Sequence, residues 1–296
     1  MRRVIFALSL SLSIFAATGL SALASPSADL PLVPCGKLVC IDANDATGAP
    51  LRLLIDTGNA HTLLNRSVAD RLKLATKPAH GADGKEVSGY GLTEPTELDL
   101  GAVKLTPVPL LVADISGYVK AVGAPFDGVL SYTQLKGWIA ELDLKDHRFH
   151  LTQDAVAKPR SSLRADYVKY RADAVVVLVV DGLAVHGYPL RAQLDTAFEG
   201  GLLMFPAAFA TTGLADQRTG EQVSLGSYDD GAPMDRMPPT SIAFDRTKLI
   251  VPSDGAFAAG KDVRLPENDI EAVAGLELFS GHRLVLDFIH NQVGVD

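Results

Sequence analysis

Two short motifs in the chain carry residues that can move protons. Asp56-Thr57-Gly58 and Asp195-Thr196-Ala197 lie 139 residues apart, and apolar residues precede each of them. Two carboxyl groups held close together do not both ionise readily, so such a pair shares one proton. The ionised member can take a proton from water while the protonated member donates to a carbonyl oxygen. The motifs therefore predict water attack on a carbonyl, with Asp56 and Asp195 as the catalytic residues.

The residues after each aspartate suit supporting roles. The hydroxyl groups of Thr57 and Thr196 can each reach the opposite loop and tie the two loops together. A residue without a bulky side chain, Gly58 or Ala197, lets its backbone N–H reach the carboxylate. One Asp at the end of a strand is usually only a turn residue, so this interpretation depends on the repetition.

The two motifs belong to a longer internal repeat. Residues 48–56 read GAPLRLLID, and residues 187–195 read GYPLRAQLD. Further matches follow downstream at nearly the same separation: Val129-Leu130-Ser131 with Val273-Ala274-Gly275, and Leu142-Asp143 with Leu286-Asp287. Two ordered matches of this kind indicate a duplicated unit of about 140 residues.

The local pattern within each unit predicts strands. Residues 38–43 and 50–55 read as strands around a turn. In the second unit, Asp181-Gly182 between apolar runs predicts a hairpin turn. We expect short helices at 66–74, 131–135 and 206–211, and a linker at 152–166. The fold class is therefore all-β, in two similar lobes that cover residues 25–155 and 156–296.

Composition limits the function further. The chain has 296 residues, of which 47% are hydrophobic, and 27 basic residues stand against 35 acidic ones. This balance argues against a nucleic-acid partner, which needs a clustered basic face. No phosphate-binding loop, dinucleotide motif or nucleophilic serine motif occurs in the sequence. His147 and His150 have no evident partner for a metal site, so we expect neither a metal nor an organic cofactor.

The first residues have the pattern of a signal peptide. Arg2 and Arg3 precede an apolar run, and Ala22-Leu23-Ala24 fits a cleavage site. We expect residues 1–24 to be removed and the mature, periplasmic or secreted chain to begin near Ser25. An uncleaved N-terminal anchor is the alternative.

The two cysteines lie close together in the expected mature chain. Because an exported protein folds in an oxidising compartment, we expect Cys35 and Cys40 to form a local disulfide. A pair of reduced thiols near a strand start is the alternative.

With these motifs, the chain resembles the single-chain, two-lobed aspartic proteases of the pepsin and retropepsin superfamily, over about residues 31–296. It is similar in particular to the small exported bacterial retropepsin-like proteins. The resemblance implies an active site between the lobes and a hydrophobic-hydrophobic-Gly element under each catalytic loop. Val273-Ala274-Gly275 matches that element, and Val129-Leu130-Ser131 matches it except for Ser131. The resemblance also implies a β-hairpin flap, with Tyr90 of Ser88-Gly89-Tyr90-Gly91 at its tip.

The expected function is that of an exported aspartic endopeptidase that acts on peptide or protein substrates. One chain supplies both aspartates, so we expect a monomer, without a membrane partner after signal removal. Ala197 and Ser131 depart from the family pattern. They favour the alternative function, a catalytically silent peptide-binding module of the same fold that holds an extended segment by strand pairing.

Overall fold

The computed structural model describes residues 25–81, 83–170, 175–212, 214, 218–223, 234–259 and 269–296. The expected signal segment, residues 1–24, lies outside the described residues. The helices in the described part are short: α1 (Arg66–Arg71), α2 (Ser116–Val122), α3 (Pro206–Thr212) and 3-10 helices at Tyr132–Leu135 and Leu276–Phe279. Within the same residues, no helix has the length and apolar character needed to cross a membrane.

Strands make up most of the described chain. Those of the first lobe are β1 (Ser27–Pro31), β2 (Val33–Cys35), β3 (Leu38–Asp45), β4 (Pro50–Asp56), β5 (Leu63–Asn65), β6 (Thr76–His80), β7 (Glu86–Thr96), β8 (Leu98–Asp99), β9 (Val108–Ala113), β10 (Gly128–Ser131), β11 (Ile139–Asp143) and β12 (Arg148–Thr152). Those of the second lobe are β13 (Ser161–Tyr170), β14 (Val175–Val185), β15 (Tyr188–Asp195), β16 (Leu202–Met204), β17 (Gln222–Val223), β18 (Met234–Arg236), β19 (Thr240–Phe244), β20 (Thr247–Val251), β21 (Ala256–Ala259), β22 (Ala272–Gly275), β23 (Arg283–Asp287) and β24 (Gln292–Val295).

The two lobes share one pattern of strand pairing. In the first lobe the strands follow the order β3-β4-β10-β5-β9, and in the second lobe the order β14-β15-β22-β16-β21. The orientations match as well, because β4 and β10 pair parallel as β15 and β22 do. Likewise, β10 pairs antiparallel with β5, and β22 with β16. The predicted all-β fold in two similar lobes is therefore confirmed.

An antiparallel sheet joins the lobes, in the order β1-β12-β11-β23-β24-β13, and each lobe contributes half of its strands. Its two central strands, β11 and β23, pair with each other, and Glu141 of β11 lies opposite Val285 of β23. These two residues hold equivalent places in the repeat, so the pairing has the self-complementary register of a two-fold axis. The sheet thus holds the two copies in a symmetric relation, which brings equivalent loops face to face.

The strands that end at the aspartates are buried on both faces. From Leu53 to Asp56 every residue of β4 is buried, and the same holds for β15 from Ala192 to Asp195. A strand covered on both faces has no solvent side, so apolar residues can follow one another in it, as Leu53, Leu54 and Ile55 do in β4. The buried end of β15 includes one polar residue, Gln193, between Ala192 and Leu194. Each aspartate thus ends a strand segment that is buried throughout.

The structure differs from the sequence prediction at Asp181-Gly182. These residues do not form a hairpin turn, because β14 continues through them with a bulge between Asp181 and Leu183. Gly182, at φ +96°, absorbs the irregularity. The turn instead lies at His186 and Gly187, whose φ angles of 52° and 82° suit the tight turn of a hairpin.

Two further differences concern segment bounds. Helix α2 lies where the sequence predicted no helix. The predicted linker at 152–166 is shorter in the structure, because residues from Ser161 onward form β13, which pairs with β24 and β14. The connection between β12 and β13 is therefore residues 153–160, and the predicted lobe boundary after residue 155 falls within it.

Candidate active site

The structure brings the two predicted aspartates together between the lobes. Asp56 is the last residue of β4 and Asp195 the last residue of β15, and each is only 7% exposed. The loop after Asp56 runs directly against the other carboxyl group, since a Cβ built on Gly58 would lie 2.4 Å from the Asp195 carboxyl carbon. Gly58 is thus required by close approach, because any side chain there would overlap the Asp195 carboxylate.

Thr57 and Thr196 tie the two loops together. The Thr57 hydroxyl donates to the Leu194 carbonyl at 2.8 Å, and the Thr196 hydroxyl donates to the Ile55 carbonyl at 2.8 Å. Each hydroxyl also accepts a hydrogen bond of 3.0 Å from the backbone N–H of the other threonine. Both side chains are fully buried, so no water competes for these bonds. The result is a rigid cross-link directly beneath the two carboxyl groups.

Backbone N–H groups orient each carboxylate. Gly58 N–H donates to Asp56 Oδ1 at 2.8 Å, and Ala197 N–H donates to Asp195 Oδ1 at 2.9 Å. The N–H groups of Asn59 and Phe198 add to this, each toward the aspartate of its own loop. Every donor is part of the backbone, so its position depends on the loop and not on a side-chain rotamer.

The two carboxyl groups hold protons more tightly than an exposed aspartate does. Burial raises the pKa of Asp56 well above its ordinary value, and the charge of Asp195 raises it further. Burial raises the pKa of Asp195 to about 6, although the N–H groups of Ala197 and Phe198 oppose this. Because each charge disfavours the other, the pair titrates as a unit that keeps one proton over an extended pH range.

The methyl group of Ala197 fits its position. Neither Gly58 nor Ala197 has a positive φ, so this turn does not need glycine for its backbone conformation. The Ala197 side chain packs against the hydrophobic core, and its N–H still reaches Asp195. The replacement of glycine in the second motif therefore removes no contact of the carboxylate.

The matched hydrophobic elements lie next to the aspartates. Residues 129–131 are in β10 and residues 273–275 are β22 residues. The strand register sets Ser131 opposite Asp56 and Gly275 opposite Asp195.

The segment in which the flap is expected forms an antiparallel hairpin of β6 and β7. Strand β6 ends at His80 and β7 begins at Glu86, so the tip precedes Glu86 and Tyr90 lies within β7 rather than at the tip. Tyr90 is 42% exposed. The Arg66 guanidinium donates to the Gly89 carbonyl at 2.9 Å and so holds β7 beside α1. A flap role for Tyr90 stays a prediction.

Sequence reasoning did not single out Tyr118, whose phenol interacts electrostatically with both aspartates. Tyr118 lies on α2, and its ring packs edge-on against Phe126, with centroids 5.5 Å apart. Burial raises the pKa of the Tyr118 phenol, and the charges of Asp56 and Asp195 raise it further. The phenol therefore stays neutral within electrostatic reach of the two aspartates. No local motif marks Tyr118, because its position depends on how α2 packs.

The remaining predicted residues are structural or peripheral. Cys35 and Cys40 form the expected disulfide, which joins β2 to β3 with Cα atoms 5.9 Å apart. In the described parts of the chain, no group of His, Cys, Asp and Glu residues is arranged to hold a metal ion.

A family model described as aspartyl protease matches residues 42–133. The matched segment runs from β3 to the first 3-10 helix and contains the Asp56-Thr57-Gly58 motif and Ser131. No curated protein matches the chain. The match supports the aspartic protease superfamily on the first lobe, and the second lobe repeats that lobe's strand pairing around Asp195.

Proposed function

We propose that the protein is an aspartic endopeptidase that hydrolyses peptide bonds with Asp56 and Asp195. One observation carries the proposal: the hydrogen bonds of the Thr57 and Thr196 loops are reciprocal, and they hold two buried carboxyl groups against each other. A structural aspartate needs no such symmetric partner, whereas shared-proton chemistry depends on one. Aspartic proteases are the standard example of this behaviour.

The chemistry follows from the shared proton. The ionised carboxylate takes a proton from a water molecule held between the two groups, and that water attacks the peptide carbonyl carbon. The protonated carboxyl donates its proton to the carbonyl oxygen, which gives a tetrahedral intermediate. Because the loops are cross-linked before substrate binds, the site needs little reorganisation during the reaction. We expect an extended substrate to lie between the aspartates and the β6–β7 hairpin, with its backbone paired to a strand of that hairpin.

The two departures from the family pattern remove no reacting group. Ala197 keeps its N–H on Asp195, and Ser131 lies in β10 without distorting the register opposite Asp56. These contacts favour the endopeptidase over the silent peptide-binding module.

The direct test is hydrolysis of a mixed peptide library across pH, read by mass spectrometry. Asp56→Asn and Asp195→Asn should each lower kcat by several orders of magnitude, because each removes one member of the proton-sharing pair. Asp45→Asn is the matched control, since Asp45 is also buried but is the last residue of β3, before the turn that leads into β4. It should retain cleavage. Equal cleavage by all four proteins would rule out the dyad.

Binding without cleavage has a different signature. If the wild type cleaves nothing but binds library peptides, the silent-binder function replaces this proposal. A statine-type peptide, which mimics the tetrahedral intermediate, separates the two further. An active dyad should bind it more tightly in the wild type than in Asp56→Asn.

We also propose that the enzyme is exported and acts as a monomer. The Cys35–Cys40 disulfide supports export, because such bonds persist in oxidising compartments. One chain supplies both aspartates, so the reaction does not need a second copy. N-terminal sequencing of the protein from the periplasm or medium should begin at Ser25, whereas Met1 on membrane-bound protein would favour the anchor. Light scattering during turnover should give the mass of one chain.

A further inference from the structure

The residue opposite each aspartate differs between the lobes. Ser131 of β10 pairs with Asp56, and Gly275 of β22 pairs with Asp195. Both strands support the loop that follows the aspartate. The two lobes therefore support the loop after the aspartate with different residues, Ser131 in the first lobe and Gly275 in the second. Each of these residues lies opposite one of the two aspartates.

In the second lobe, backbone groups fasten the loop. Gly275 N–H donates to the Gly201 carbonyl at 3.1 Å, and Leu276 N–H donates to the Phe198 carbonyl at 3.2 Å. This contact is too close for a side chain, because a Cβ on Gly275 would lie 2.0 Å from the Gly200 carbonyl oxygen. Glycine is thus required at this position of the second lobe.

In the first lobe, hydroxyl groups fasten the loop. Ser131 is completely buried, and its N–H donates to Thr62 Oγ1 at 3.2 Å. Its own Oγ lies 3.3 Å from Thr62 Oγ1 and 2.6 Å from Thr133 Oγ1. Thr133 in turn donates to the Ala60 carbonyl at 2.8 Å. We call Thr62, Ser131 and Thr133 the hydroxyl chain.

The Ala60 carbonyl, at the end of the hydroxyl chain, determines which hydroxyl group donates in each hydrogen bond. Each hydroxyl has one proton to donate, and Thr133 gives its proton to the Ala60 carbonyl. Ser131 must therefore donate to Thr133, and Thr62 must donate to Ser131. All protons point the same way, so each bond polarises the next and strengthens it.

The hydroxyl chain holds the part of the loop that carries the donors to Asp56. At one end of the hydroxyl chain Thr62 bonds Ser131, and at the other end Thr133 bonds the Ala60 carbonyl. Residues 60 and 62 follow shortly after Gly58, whose N–H donates to Asp56 Oδ1 at 2.8 Å. We propose that Ser131 is a positioning residue for Asp56, which acts by fixing this loop through the hydroxyl chain. The inference rests on the proposed function. It also makes Ser131 a working substitute for glycine rather than a sign of lost activity.

Loss of the hydroxyl chain should change how Asp56 titrates. The titratable groups that face Asp56 are Asp195, at the end of β15, and Tyr118 of α2, and both are unchanged in variants of the hydroxyl chain. A looser loop aligns the Gly58 N–H less well with the ionised carboxylate. Because that hydrogen bond favours the charged form, weakening it should raise the midpoint of titration.

The test compares variants that break the hydroxyl chain with matched variants that do not. Ser131→Ala removes its centre, and Thr133→Val removes its last donor while keeping the side-chain shape. Thr133→Ser keeps the hydroxyl and should behave like the wild type. Ser161→Ala is the second control, because Ser161 is equally buried and hydrogen-bonds Thr247 at 2.8 Å, yet it lies in β13 away from the loop.

Two measurements decide the outcome. The first is the titration midpoint of the Asp56 carboxyl carbon by NMR on protein with 13C-labelled aspartate, with the resonance assigned by its loss in Asp56→Asn. The second is the separation of kcat from KM on a cleaved peptide. We expect Ser131→Ala and Thr133→Val to raise the midpoint and to lower kcat about tenfold with little change in KM, because a misplaced catalytic group costs rate rather than binding. Their effects should not add in the double variant, since each breaks the same chain.

An unchanged midpoint in both Ser131→Ala and Thr133→Val would overturn the inference, as would an equal change in Ser161→Ala. If Ser131→Ala does not fold, Thr133→Val decides the question alone. A wild type that cleaves no peptide would overturn the proposed function instead, and the NMR midpoint would still show whether Ser131 positions Asp56.

Discussion

Burial of the carboxyl pair predicts that the active site destabilises the protein as pH rises. Burial raises the pKa of Asp195 from 3.8 to about 6, so the folded state favours the protonated form. The unfolded chain ionises near the ordinary value. A raised folded pKa gives stability that is fully present below the unfolded pKa and is lost as pH rises through the folded one. At 1.36 kcal/mol per unit, Asp195 costs about 3 kcal/mol of unfolding free energy above pH 6 or so.

Asp195→Asn should remove this cost, because an amide does not ionise. Relative to the wild type, the variant should gain about 3 kcal/mol between about pH 4 and about pH 8. For a chain of this size that is about 6–12 °C in Tm. Burial raises the pKa of Asp56 as well, so the double variant with Asp56→Asn and Asp195→Asn should gain more unfolding free energy than Asp195→Asn alone. Urea unfolding at a series of pH values measures the difference directly, and other titrating groups cancel between the two proteins.

Asp45→Asn supplies the contrast. Asp45 Oδ1 accepts hydrogen bonds from Thr47 N–H, the Thr47 hydroxyl and Ala49 N–H, so this variant should lose stability rather than gain it. Parallel curves of stability against pH for the wild type and Asp195→Asn would refute the reasoning. They would mean that Asp195 is not kept protonated by its surroundings.

Three further predictions follow from the geometry of the site. Gly58→Ala should abolish cleavage, because the new Cβ would lie 2.4 Å from the Asp195 carboxylate. Ala197→Gly should keep kcat within a few-fold of the wild type. Kinetics on one peptide substrate compares the two variants. Thr57→Val should lower the unfolding free energy by about 2–4 kcal/mol, because it breaks two buried hydrogen bonds and leaves their partners unsatisfied. Calorimetry measures the loss, and a loss smaller than that of a surface Thr→Val variant would contradict the cross-link. The dependence of kcat on pH should be a bell whose two limbs belong to the Asp56–Asp195 pair, because cleavage needs one shared proton and stops when both carboxyl groups are protonated or both are ionised; a profile without either limb would contradict proton sharing.

The sequence was most informative where the repeat doubled a signal. A single Asp-Thr pair has little predictive value, but equivalent copies predict a symmetric contact, and the structure brings Asp56 and Asp195 together as that symmetry requires. The strands before them were also predictable, because the matched segments GAPLRLLID and GYPLRAQLD repeat the same spacing of apolar residues up to each aspartate.

Features that depend on tertiary packing were not predictable. Asp181-Gly182 suits a hairpin turn and a bulge equally well, and only the continuation of β14 past Gly182 distinguishes them. Tyr118 has no local signature, because its position depends on how α2 packs, with its ring against Phe126. Ser131 looked like a defect in a motif, and its partners Thr62 and Thr133 become visible only when the loop and the strand are seen together.

The short connection between the lobes, residues 153–160, has a consequence for how the site survives dilution. Two separate copies of such a lobe would associate to an extent that depends on their concentration. A site shared between them would be lost when dilution caused the copies to dissociate. A tether of a few residues holds the second lobe at an effective concentration in the millimolar range. Assembly of the two aspartates is then a folding event that no longer depends on finding a partner. Dilution of the folded protein would therefore leave the two aspartates together.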